Sequence, residues 1–471
     1  MPKQRSINPA TGDVVFEIED HTDAAVEERL AAASHAAKAW RERPVAERVT
    51  VLQRAAELLE QDRGMFGRMM TQEMGKTLTS ALAEVDKCAS GCRYYAAHAA
   101  QFLAPDVVVN TGGERGEARF EPLGTVLAVM PWNFPFWQVI RFAAPALAAG
   151  NTGLLKHASN VPRCAIALEE LFVRSGAPRG VFQTLLVGSS RVAAIIGDAR
   201  VHAVTLTGSE PAGRSVASTA GQHLKKTVLE LGGSDPFVVC ASADVERAAE
   251  VGVTARCINN GQSCIAAKRF IVVDAVADAF LERFDARMRA LRVGDPMDPA
   301  TDVGPLATRA IRDELHEQVT ASVAAGARIS LGGAPMDGPG NYYPPTILSS
   351  IPPSAPAWSE ELFGPVALVF RVPDLDAALA LANGTRFGLG ASVWTRDPLE
   401  AERAARVLDA GSVFVNGMVA SDPRFAFGGI KASGYGRELG AWGLREFVNI
   451  KTLRVFGAWP QADGVHRTPP G

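Results

Sequence analysis

A cysteine in residues 257–269, CINNGQSCIAAKR, has surroundings that suit a reactive thiol. Cys264 follows Gly-Gln-Ser and precedes the basic pair Lys268 and Arg269. A cysteine attacks as its thiolate, which nearby positive charge stabilises. Cys264 is therefore a candidate nucleophile, and a buried structural thiol is the alternative interpretation.

A glutamate in VLELGGSDPF is a candidate acid or base. Glu230 ends a β-rich run and precedes two glycines. A carboxylate in such apolar surroundings is costly to bury unless it is paired or protonated. Glu230 could act as a general base with a raised pKa. A glutamate that only caps a loop or helix would have the same sequence context.

Two further segments place ligand-binding groups at the ends of predicted strands. Lys156 ends the run in NTGLLKHASN, whereas Gly208 and Ser209 lie between the run VHAVTLT and a predicted helix. Open α/β sheets bind ligands at the carboxyl ends of their strands, and helix N-termini bind phosphate groups. Each signal is weak alone, since a strand-capping lysine or an ordinary strand-to-helix turn would look the same.

The segment MPWNFPFWQVIRF predicts a helix that begins at Phe134. Helical spacing would place on one face Phe134, Trp137, Gln138 and Arg141. The guanidinium of Arg141 stays charged, so it needs an anionic partner, which is either a protein carboxylate or a ligand. Asn133 suits the N-cap position of this helix.

Alternating strands and helices must position these side chains. Residues 23–102 are Ala-rich with helical periodicity, which predicts several helices. From about residue 124, helical segments separate the β-rich runs TVLAVM, NTGLLKHA, VHAVTLTGS, KKTVLELGG, KRFIVV, ARISLGG, PVALVFRV, ASVWT and SVFVNG. This pattern predicts right-handed crossovers and the parallel sheets of an α/β fold. Residues 458–471 are expected to form a mobile tail or a segment that only a partner subunit orders.

Composition narrows the class of protein. The chain of 471 residues is long enough for two or three domains, and its net charge of −3 gives no reason to expect nucleic acid or a membrane as partner. Six cysteines in so long a chain do not suggest a disulfide framework, and no Cys or His near Cys88 and Cys92 completes a zinc site. Because the zinc site is incomplete, we expect no bound metal. The first residues, MPKQRSINPATGD, lack a signal-like apolar segment, so we expect a cytoplasmic protein.

Taken together, these motifs resemble the aldehyde dehydrogenase superfamily. The resemblance extends from INPATGD to FGGIKASGYGRELG and includes PWNFP and EELFGPV in the same order. The segments EMGKTL, LLKHASN, ELGGSDPF, AAKRF and GNYYPPT are most similar to the short bacterial succinate-semialdehyde dehydrogenases.

The resemblance implies an α/β fold with three parts. Residues 1–104 and 123–231 would form a Rossmann-type NAD(P)-binding domain, and residues 232–432 an α/β catalytic domain. A small β oligomerisation extension would comprise residues 105–122 and 447–457. Because its exposed strand edges would pair with another subunit, we expect a homodimer or homotetramer.

The resemblance also implies a catalytic mechanism. Cys264 would attack the aldehyde, and the side chain of Asn133 would stabilise the oxyanion together with the backbone N–H of Cys264. Loss of hydride to the nicotinamide would leave a thioester, which water activated by Glu230 would hydrolyse. Glu438, in GRELG, would support Glu230.

The cofactor residues implied by the same motifs are Trp132, Lys156, Ser159, Gly188, Gly208, Ser209, Glu361 and Phe363. Relatives that prefer NAD often carry a glutamate at the position of Ser159, where its charge would repel a 2′-phosphate. With a serine there, and with Lys156 and His157 nearby, NADP is the expected cofactor and NAD a second one.

The residues expected to bind a small aldehyde substrate are Phe134, Trp137, Gln138, Arg141, Ser421, Arg424 and Phe427. Arg141 would bind the distal carboxylate of succinic semialdehyde or a related carboxylated aldehyde. Some relatives add an arginine where this chain has Ile258, so Arg256, Arg424 or Ser421 would have to compensate.

Three other functions are alternatives to a dehydrogenase for carboxylated aldehydes. A broad-specificity dehydrogenase for small aldehydes would share the same motifs. A CoA-acylating relative usually lacks the glutamate found here at Glu230. A cysteine acyltransferase would need a histidine beside Cys264, and no histidine lies in a matching motif.

Overall fold

The computed structural model describes residues 2–111 and 114–457. The α-helices in chain order are α1 (Asp23–Glu42), α2 (Val45–Gln61), α3 (Arg63–Met74), α4 (Leu78–Phe102), α5 (Trp137–Ala149), α6 (Pro162–Arg174), α7 (Val192–Gly197), α8 (Glu210–Gln222), α9 (Val245–Cys257), α10 (Asp274–Ala290), α11 (Arg309–Ala324), α12 (Pro356–Ser359), α13 (Leu375–Asn383), α14 (Pro398–Val407) and α15 (Gly440–Arg445).

The β-strands are β1 (Lys3–Ile7), β2 (Val14–Glu19), β3 (Asp106–Thr111), β4 (Glu114–Pro122), β5 (Thr125–Met130), β6 (Thr152–His157), β7 (Phe182–Thr184), β8 (Val201–Thr207), β9 (Lys226–Glu230), β10 (Asp235–Val239), β11 (Ala267–Val273), β12 (Arg328–Leu331), β13 (Thr346–Ser349), β14 (Val366–Val372), β15 (Gly390–Trp394), β16 (Ser412–Val415), β17 (Gly434–Tyr435) and β18 (Val448–Phe456).

The first four helices occupy the Ala-rich region that is predicted to be helical. The side chains of Thr22 and Thr77 accept hydrogen bonds from first-turn N–H groups of α1 and α4, and Gly75, with φ of 82°, ends α3. Cys88 and Cys92 are buried in the apolar core that α4 shares with its neighbours. These two thiols therefore pack as core residues.

Two largely parallel sheets form the centre of the molecule. A six-stranded sheet has the order β17-β9-β8-β5-β6-β7, and a seven-stranded sheet has the order β12-β13-β14-β11-β10-β15-β16. Only β17 and β12 pair antiparallel with their neighbours in these sheets. Strands such as β5 and β6 are buried along nearly their whole length because both sheet faces are covered. The predicted α/β class is confirmed.

The chain crosses from one sheet to the other through the motif ELGGS. β9 ends at Glu230 in the six-stranded sheet, and β10 begins at Asp235 in the seven-stranded sheet. The carboxyl ends of β6, β8 and β9 carry Lys156, Thr207 and Glu230. The boundary between the two sheets is thus the place where the candidate residues can meet.

A separate three-stranded antiparallel sheet has the order β18-β4-β3. Its strands lie in the two segments expected to form the oligomerisation extension. The domain boundaries themselves stay a prediction, and the expected tail at 458–471 lies outside the described residues. No helix in the described part of the chain is long and apolar enough to cross a bilayer.

Candidate active site

An unusual backbone turn presents Cys264. Between the end of α9 and Cys264, the residues Asn259, Asn260 and Gly261 have φ values of 55°, 58° and 76°. Asparagine and glycine tolerate this left-handed region better than other residues do. A side chain at Gly261 would collide with the backbone of Gly364. The Asn-Asn-Gly sequence therefore lets the cysteine turn pack directly against the loop that contains EELFGPV.

The lysine that follows the cysteine holds this turn in place. The ammonium of Lys268 is fully buried and donates hydrogen bonds to the carbonyl oxygens of Ser263 (2.8 Å) and Cys264 (2.7 Å). It also forms an ion pair with Glu361 at 2.9 Å. Arg269 serves a different purpose, since its guanidinium binds carbonyl oxygens at the surface of the seven-stranded sheet. The sequence pattern around Lys268 does not predict this positioning contact.

The thiol of Cys264 is protonated in this environment. Desolvation raises its pKa to about 12, although the charges of Lys268 and Arg141 act in the opposite direction. A thiol with so high a pKa is a poor nucleophile at neutral pH unless a base removes its proton during attack. The site therefore needs a general base within reach of Cys264.

Glu230 has the environment of such a base. Its side chain is 2% exposed, and neither carboxylate oxygen has a hydrogen-bond partner among the described residues. Burial raises its pKa well above the usual range, as does the charge of Glu438, while Arg141 and Arg437 oppose the shift. A carboxylate with a raised pKa can accept a proton near neutral pH. The capping interpretation of Glu230 has no hydrogen bond to support it within the part of the chain that the structure describes.

Glycines allow the separate parts of the site to approach closely. A side chain at Gly232 would collide with the carboxylate of Glu361, and one at Gly233 would lie 2.8 Å from the carbonyl oxygen of Cys264. On the other side, a Cβ at Gly428 would be 2.6 Å from the carboxylate of Glu230. The motifs ELGG and FGG therefore require glycine, because the close packing around Cys264 and Glu230 leaves no room for a side chain.

The structure corrects the predicted helix start at Phe134, since α5 begins at Trp137. Asn133 does not cap this helix. The carboxylate of Glu84, from α4, accepts the N–H groups of Phe136 (2.9 Å) and Trp137 (2.8 Å) instead. Glu84, on the distant helix α4, thus supplies the hydrogen-bond acceptor that was expected from a local N-cap residue.

Asn133 instead contacts the cysteine turn. Its side-chain oxygen accepts a hydrogen bond from Gln138 (3.0 Å), and its amide nitrogen donates to the carbonyl oxygen of Gln262 (3.1 Å). Since an amide nitrogen carries two hydrogens, one remains for a ligand oxygen. This position, beside the turn of Cys264, is compatible with the expected oxyanion role.

A cavity that is open to solvent has Cys264 in its lining, and its empty space, including the part open to solvent, is about 750 Å³. The residues that line it are Ser80, Ala83, Glu84, Lys87, Phe134, Trp137, Gln138, Arg141, Ile258, Ser263, Cys264, Ile265, Val419, Ala420, Ser421 and Phe427. Six of the seven expected substrate residues are among them. Arg424 is not, because it is exposed and forms an ion pair with Asp422 at 2.6 Å.

Two of the arginines considered for substrate binding have partners within the protein. Arg141 lines the cavity, but its guanidinium forms a buried ion pair with Glu438 and lies 4.7 Å from the centre of the Phe427 ring. Glu438 thus contacts Arg141, although its charge still influences Glu230. Arg256 does not line the cavity, since it is fully buried and donates to the carbonyl oxygens of Gly261 and Ala267.

Lys87 is a cavity residue that sequence analysis missed. Its ammonium donates to the hydroxyl of Ser421 at 2.7 Å and lies 4.6 Å from the centre of a Trp137 ring. A signal was present, because Ser80, Ala83, Glu84 and Lys87 recur at helical spacing on α4. That stripe faces the cavity.

The expected cofactor residues gather at the carboxyl edge of the six-stranded sheet. Lys156 is the penultimate residue of β6 and is 8% exposed, and its ammonium has no hydrogen-bond or ion-pair partner among the described residues. Burial lowers its pKa, so an oxygen-rich ligand would stabilise the ammonium. Ser209 is the N-cap of α8 and follows the turn at Gly208, as predicted. This edge fits the ribose and phosphate groups of a dinucleotide.

Other expected cofactor residues lie nearby, but the positive charge expected at His157 is absent. Trp132 and Phe363 meet edge to face with ring centres 5.8 Å apart, and Ser159 is exposed. The N–H of Gly188 already donates to the carboxylate of Asp20 at 3.2 Å. His157 supplies no positive charge, because burial lowers its pKa to about 4.

Comparison with known proteins shows the family of this chain. The model of the aldehyde dehydrogenase family matches residues 2–453. The chain belongs to the aldehyde dehydrogenase family. The resemblance noted from the motifs is thereby confirmed.

Several relatives of this aldehyde dehydrogenase carry more specific names. A probable NADP(+)-dependent succinate-semialdehyde dehydrogenase of Synechocystis sp. is 54% identical over 450 residues, which cover 96% of this chain and 99% of the relative. An NADP(+)-dependent succinate-semialdehyde dehydrogenase of Mycolicibacterium paratuberculosis is 54% identical over 453 residues, with 96% of each chain covered. The crystal structure of a succinic semialdehyde dehydrogenase from Streptococcus pyogenes in complex with NADP+ superimposes with a TM-score of 0.93 at 37% identity, covering 96% of this chain and 99% of that one.

Proposed function

We propose that this aldehyde dehydrogenase oxidises succinic semialdehyde, or a closely related carboxylated aldehyde, with NADP as its main cofactor. The observation that carries the proposal is the cavity that contains both Cys264 and two cationic side chains, Lys87 and Arg141. Positive charge in a cavity that ends at a thiol favours an aldehyde with a negative charge at its far end. The names of the relatives at 54% identity support the same substrate and cofactor.

The first step needs proton transfer from Cys264. Glu230 is the proposed base, because its charge influences the pKa of Cys264 and its own raised pKa suits it to accept the proton as sulfur attacks the carbonyl carbon. The carbonyl oxygen becomes negatively charged in the thiohemiacetal. The free amide hydrogen of Asn133 and the backbone N–H of Cys264 stabilise that charge, and loss of one such donor typically lowers the rate about 10²- to 10³-fold.

The cofactor would lie between the carboxyl edge of the six-stranded sheet and the cysteine turn. Lys156, Ser159, Gly208 and Ser209 would hold its adenosine and phosphate part, and the remaining contacts would come from Trp132, Gly188, Glu361 and Phe363. A bound nicotinamide supplies the hydride acceptor that converts the thiohemiacetal on Cys264 to a thioester. Glu361 would be held ready for the ribose by its ion pair with Lys268.

Hydrolysis of the thioester would use Glu230 a second time. After Glu230 has released the Cys264 proton to solvent, its carboxylate would take a proton from water and the resulting hydroxide would attack the thioester carbon. The Cys264 thiolate would then leave and take that proton back from Glu230. The pair formed by Arg141 and Glu438 lies close enough to shift the pKa of Glu230 in opposite directions. We therefore assign this pair to tuning the base.

A broad-specificity aldehyde dehydrogenase is the second candidate. Much of the cavity is apolar, with Phe134, Trp137, Ile258, Ile265 and Phe427 in its lining. The positive charge of Arg141 is already neutralised by Glu438. Both observations favour acceptance of uncharged aldehydes.

Steady-state kinetics would test the proposal. Succinic semialdehyde and butanal, which has the same number of carbons but no charge, are compared with NADP and with NAD while reduced cofactor is followed by absorbance. We expect kcat/KM to favour succinic semialdehyde by about 10- to 100-fold, the selectivity that a charge-assisted contact provides. Equal values for the two aldehydes would support the broad-specificity enzyme instead. A requirement for coenzyme A would indicate the acylating type, and absence of reduced cofactor an acyltransferase.

We also propose that the chain assembles as a homodimer or homotetramer. β3 and β18 each pair only with β4 within the described residues, so the small sheet has two open edges. Val108 (75% exposed), Ile450 (63%) and Phe456 (71%) lie on these strands. Light scattering of the purified protein would measure the mass of the particle.

A reducing compartment such as the cytoplasm suits the proposed chemistry, because Cys264 must remain a free thiol.

A further inference from the structure

The three charged side chains that line the cavity, within the described part of the chain, have different partners. Glu84 forms an ion pair with Lys76 and accepts two backbone hydrogen bonds from the start of α5. Arg141 forms its ion pair with Glu438. Lys87 has no carboxylate within ion-pair distance among residues 2–111 and 114–457. The cavity therefore contains a cation whose charge these residues leave without a direct counter-ion.

The ammonium of Lys87 is fixed in position. It lies against the ring of Trp137 and donates to the hydroxyl of Ser421, which also accepts a hydrogen bond from the indole N–H of Trp137 at 3.0 Å. An ammonium has three hydrogens, so two remain for a ligand. A cation held by an aromatic face and a hydroxyl can bind a carboxylate without first being moved into place.

The charges around Lys87 also favour an anionic ligand. Burial lowers its pKa to about 8, and so does the charge of Arg141, while Cys88, Glu84 and Asp422 act in the opposite direction. Asp422 is itself ion-paired with Arg424. A ligand carboxylate would supply the direct counter-ion that none of these groups provides, and it would raise the pKa of Lys87 on binding.

We propose that Lys87, with the hydroxyl of Ser421, binds the distal carboxylate of the substrate and determines the preference for carboxylated aldehydes. This inference rests on the function proposed above, and it assigns the contact to Lys87 where sequence analysis assigned it to Arg141. Arg141 then acts mainly through its pair with Glu438. Lys87 belongs to substrate recognition, because it lies at the cavity wall and has no part in the chemistry of Cys264.

The test compares Lys87→Met with wild type, using succinic semialdehyde and butanal at saturating NADP. We expect kcat/KM for succinic semialdehyde to fall about 10- to 100-fold, as loss of a charge-assisted hydrogen bond predicts. The loss should appear in KM, and kcat/KM for butanal should stay close to wild type. Lys87→Arg should keep part of the preference because it keeps the charge. Lys38→Met, which removes an exposed lysine of α1, is the matched control and should change neither substrate.

Two outcomes separate this inference from the proposed function. If wild type does not prefer succinic semialdehyde to butanal, the proposed function fails and the role of Lys87 fails with it. If wild type shows the preference and Lys87→Met retains it, the proposed function stands and the assignment to Lys87 is overturned.

A measurement on wild type alone covers the case in which Lys87→Met does not fold. The ratio of kcat/KM for succinic semialdehyde to that for butanal is followed against pH. Groups that act in the chemical steps, such as Cys264 and Glu230, affect both substrates and largely cancel in the ratio. We expect the ratio to be highest below about pH 8 and to fall above it as Lys87 loses its proton. A ratio that does not change through this range would contradict the assignment.

Discussion

Replacement of Lys268 by methionine should impair both the cysteine turn and the reactivity of its thiol. The buried ammonium holds the carbonyl oxygens of Ser263 and Cys264 and pairs with Glu361. Methionine fills similar space but donates no hydrogen bond. Both carbonyl groups then lose the ammonium, although the N–H of Ala266 still donates to the carbonyl oxygen of Ser263 at 3.1 Å. The carboxylate of Glu361 loses its counter-ion beside the thiol.

The size of the effect follows from these contacts. Breaking a buried ion pair by removing one partner costs roughly 3–5 kcal/mol, and the partial exposure of Glu361 (18%) allows water to recover some of that. We therefore expect a loss of about 3 kcal/mol in the free energy of unfolding. Lys268 lowers the pKa of Cys264 and Glu361 raises it, so the pKa of Cys264 should be higher in the variant than in wild type. The fraction of Cys264 that is thiolate at a given pH would fall accordingly.

Alkylation of individual cysteines measures this change directly. Wild type and Lys268→Met are treated with iodoacetamide at several pH values, and modified peptides are quantified by mass spectrometry. Cys257 serves as an internal reference, because it is half-buried and the shift in its pKa comes from burial, Arg256 and Asp302. We expect slower alkylation of Cys264 in the variant and no change at Cys257. Equal rates at Cys264 in the two proteins would refute the role assigned to Lys268.

Three other substitutions test neighbouring parts of the site. Ser159→Glu should lower kcat/KM for NADP by more than about tenfold and kcat/KM for NAD far less, since a carboxylate there would repel the 2′-phosphate. Equal losses with both cofactors would contradict a role of Ser159 in the preference for NADP. Arg141→Met and Glu438→Gln should each lower the free energy of unfolding by roughly 3 kcal/mol, whereas the double variant should recover part of the loss because no buried charge is left unpaired; strictly additive losses in chemical denaturation would argue against the pair. In Glu438→Gln, the acidic limb of the pH profile of kcat should also move to lower pH, because the charge that raises the pKa of Glu230 is gone; an unmoved limb would show that Glu438 does not tune the base.

Most of the sheet architecture could be predicted from the sequence because its signal is local. The β-rich run TVLAVM coincides with β5, and the runs that contain β6, β8 and β9 lie beside it in one sheet. The sequence pattern does not reveal β10, since its sequence DPFVV contains a proline, which normally argues against a central strand. The register shifts between Asp235 and Pro236, so the ladder is irregular at the point where the proline lacks an N–H.

The start of α5 shows where local signals fail. Asn133 has the residue type of an N-cap, yet Glu84 accepts the first free N–H groups of the helix from a distant part of the chain. Helix periodicity does not reveal such a partner. The predicted helix therefore begins three residues too early, although Phe134 still reaches the cavity.

The candidate site is predictable as a set of motifs and unpredictable as a network of charges. The motifs around Cys264 and Glu230 are contiguous, so the sequence alone is enough to find their residues. The partners of Arg141 and Lys87 lie far away in sequence, and only tertiary packing decides that Arg141 meets Glu438 while Lys87 faces the cavity. The positive charge expected at His157 is wrong for a similar reason, because its full burial is a property of the folded sheet.

The most direct test of the central claim is the intact mass of Glu230→Gln after rapid mixing with NADP and succinic semialdehyde and an acid quench. If Cys264 forms the thioester and Glu230 releases it, the variant should acylate more slowly than wild type, because it also lacks the base for Cys264. It should then retain one succinyl group through a series of later quenches, and peptide mapping should place that group on Cys264. A Cys264→Ser version of the same protein should carry no such group. An unmodified Glu230→Gln protein, or a Cys264→Ser enzyme with normal turnover, would contradict the account.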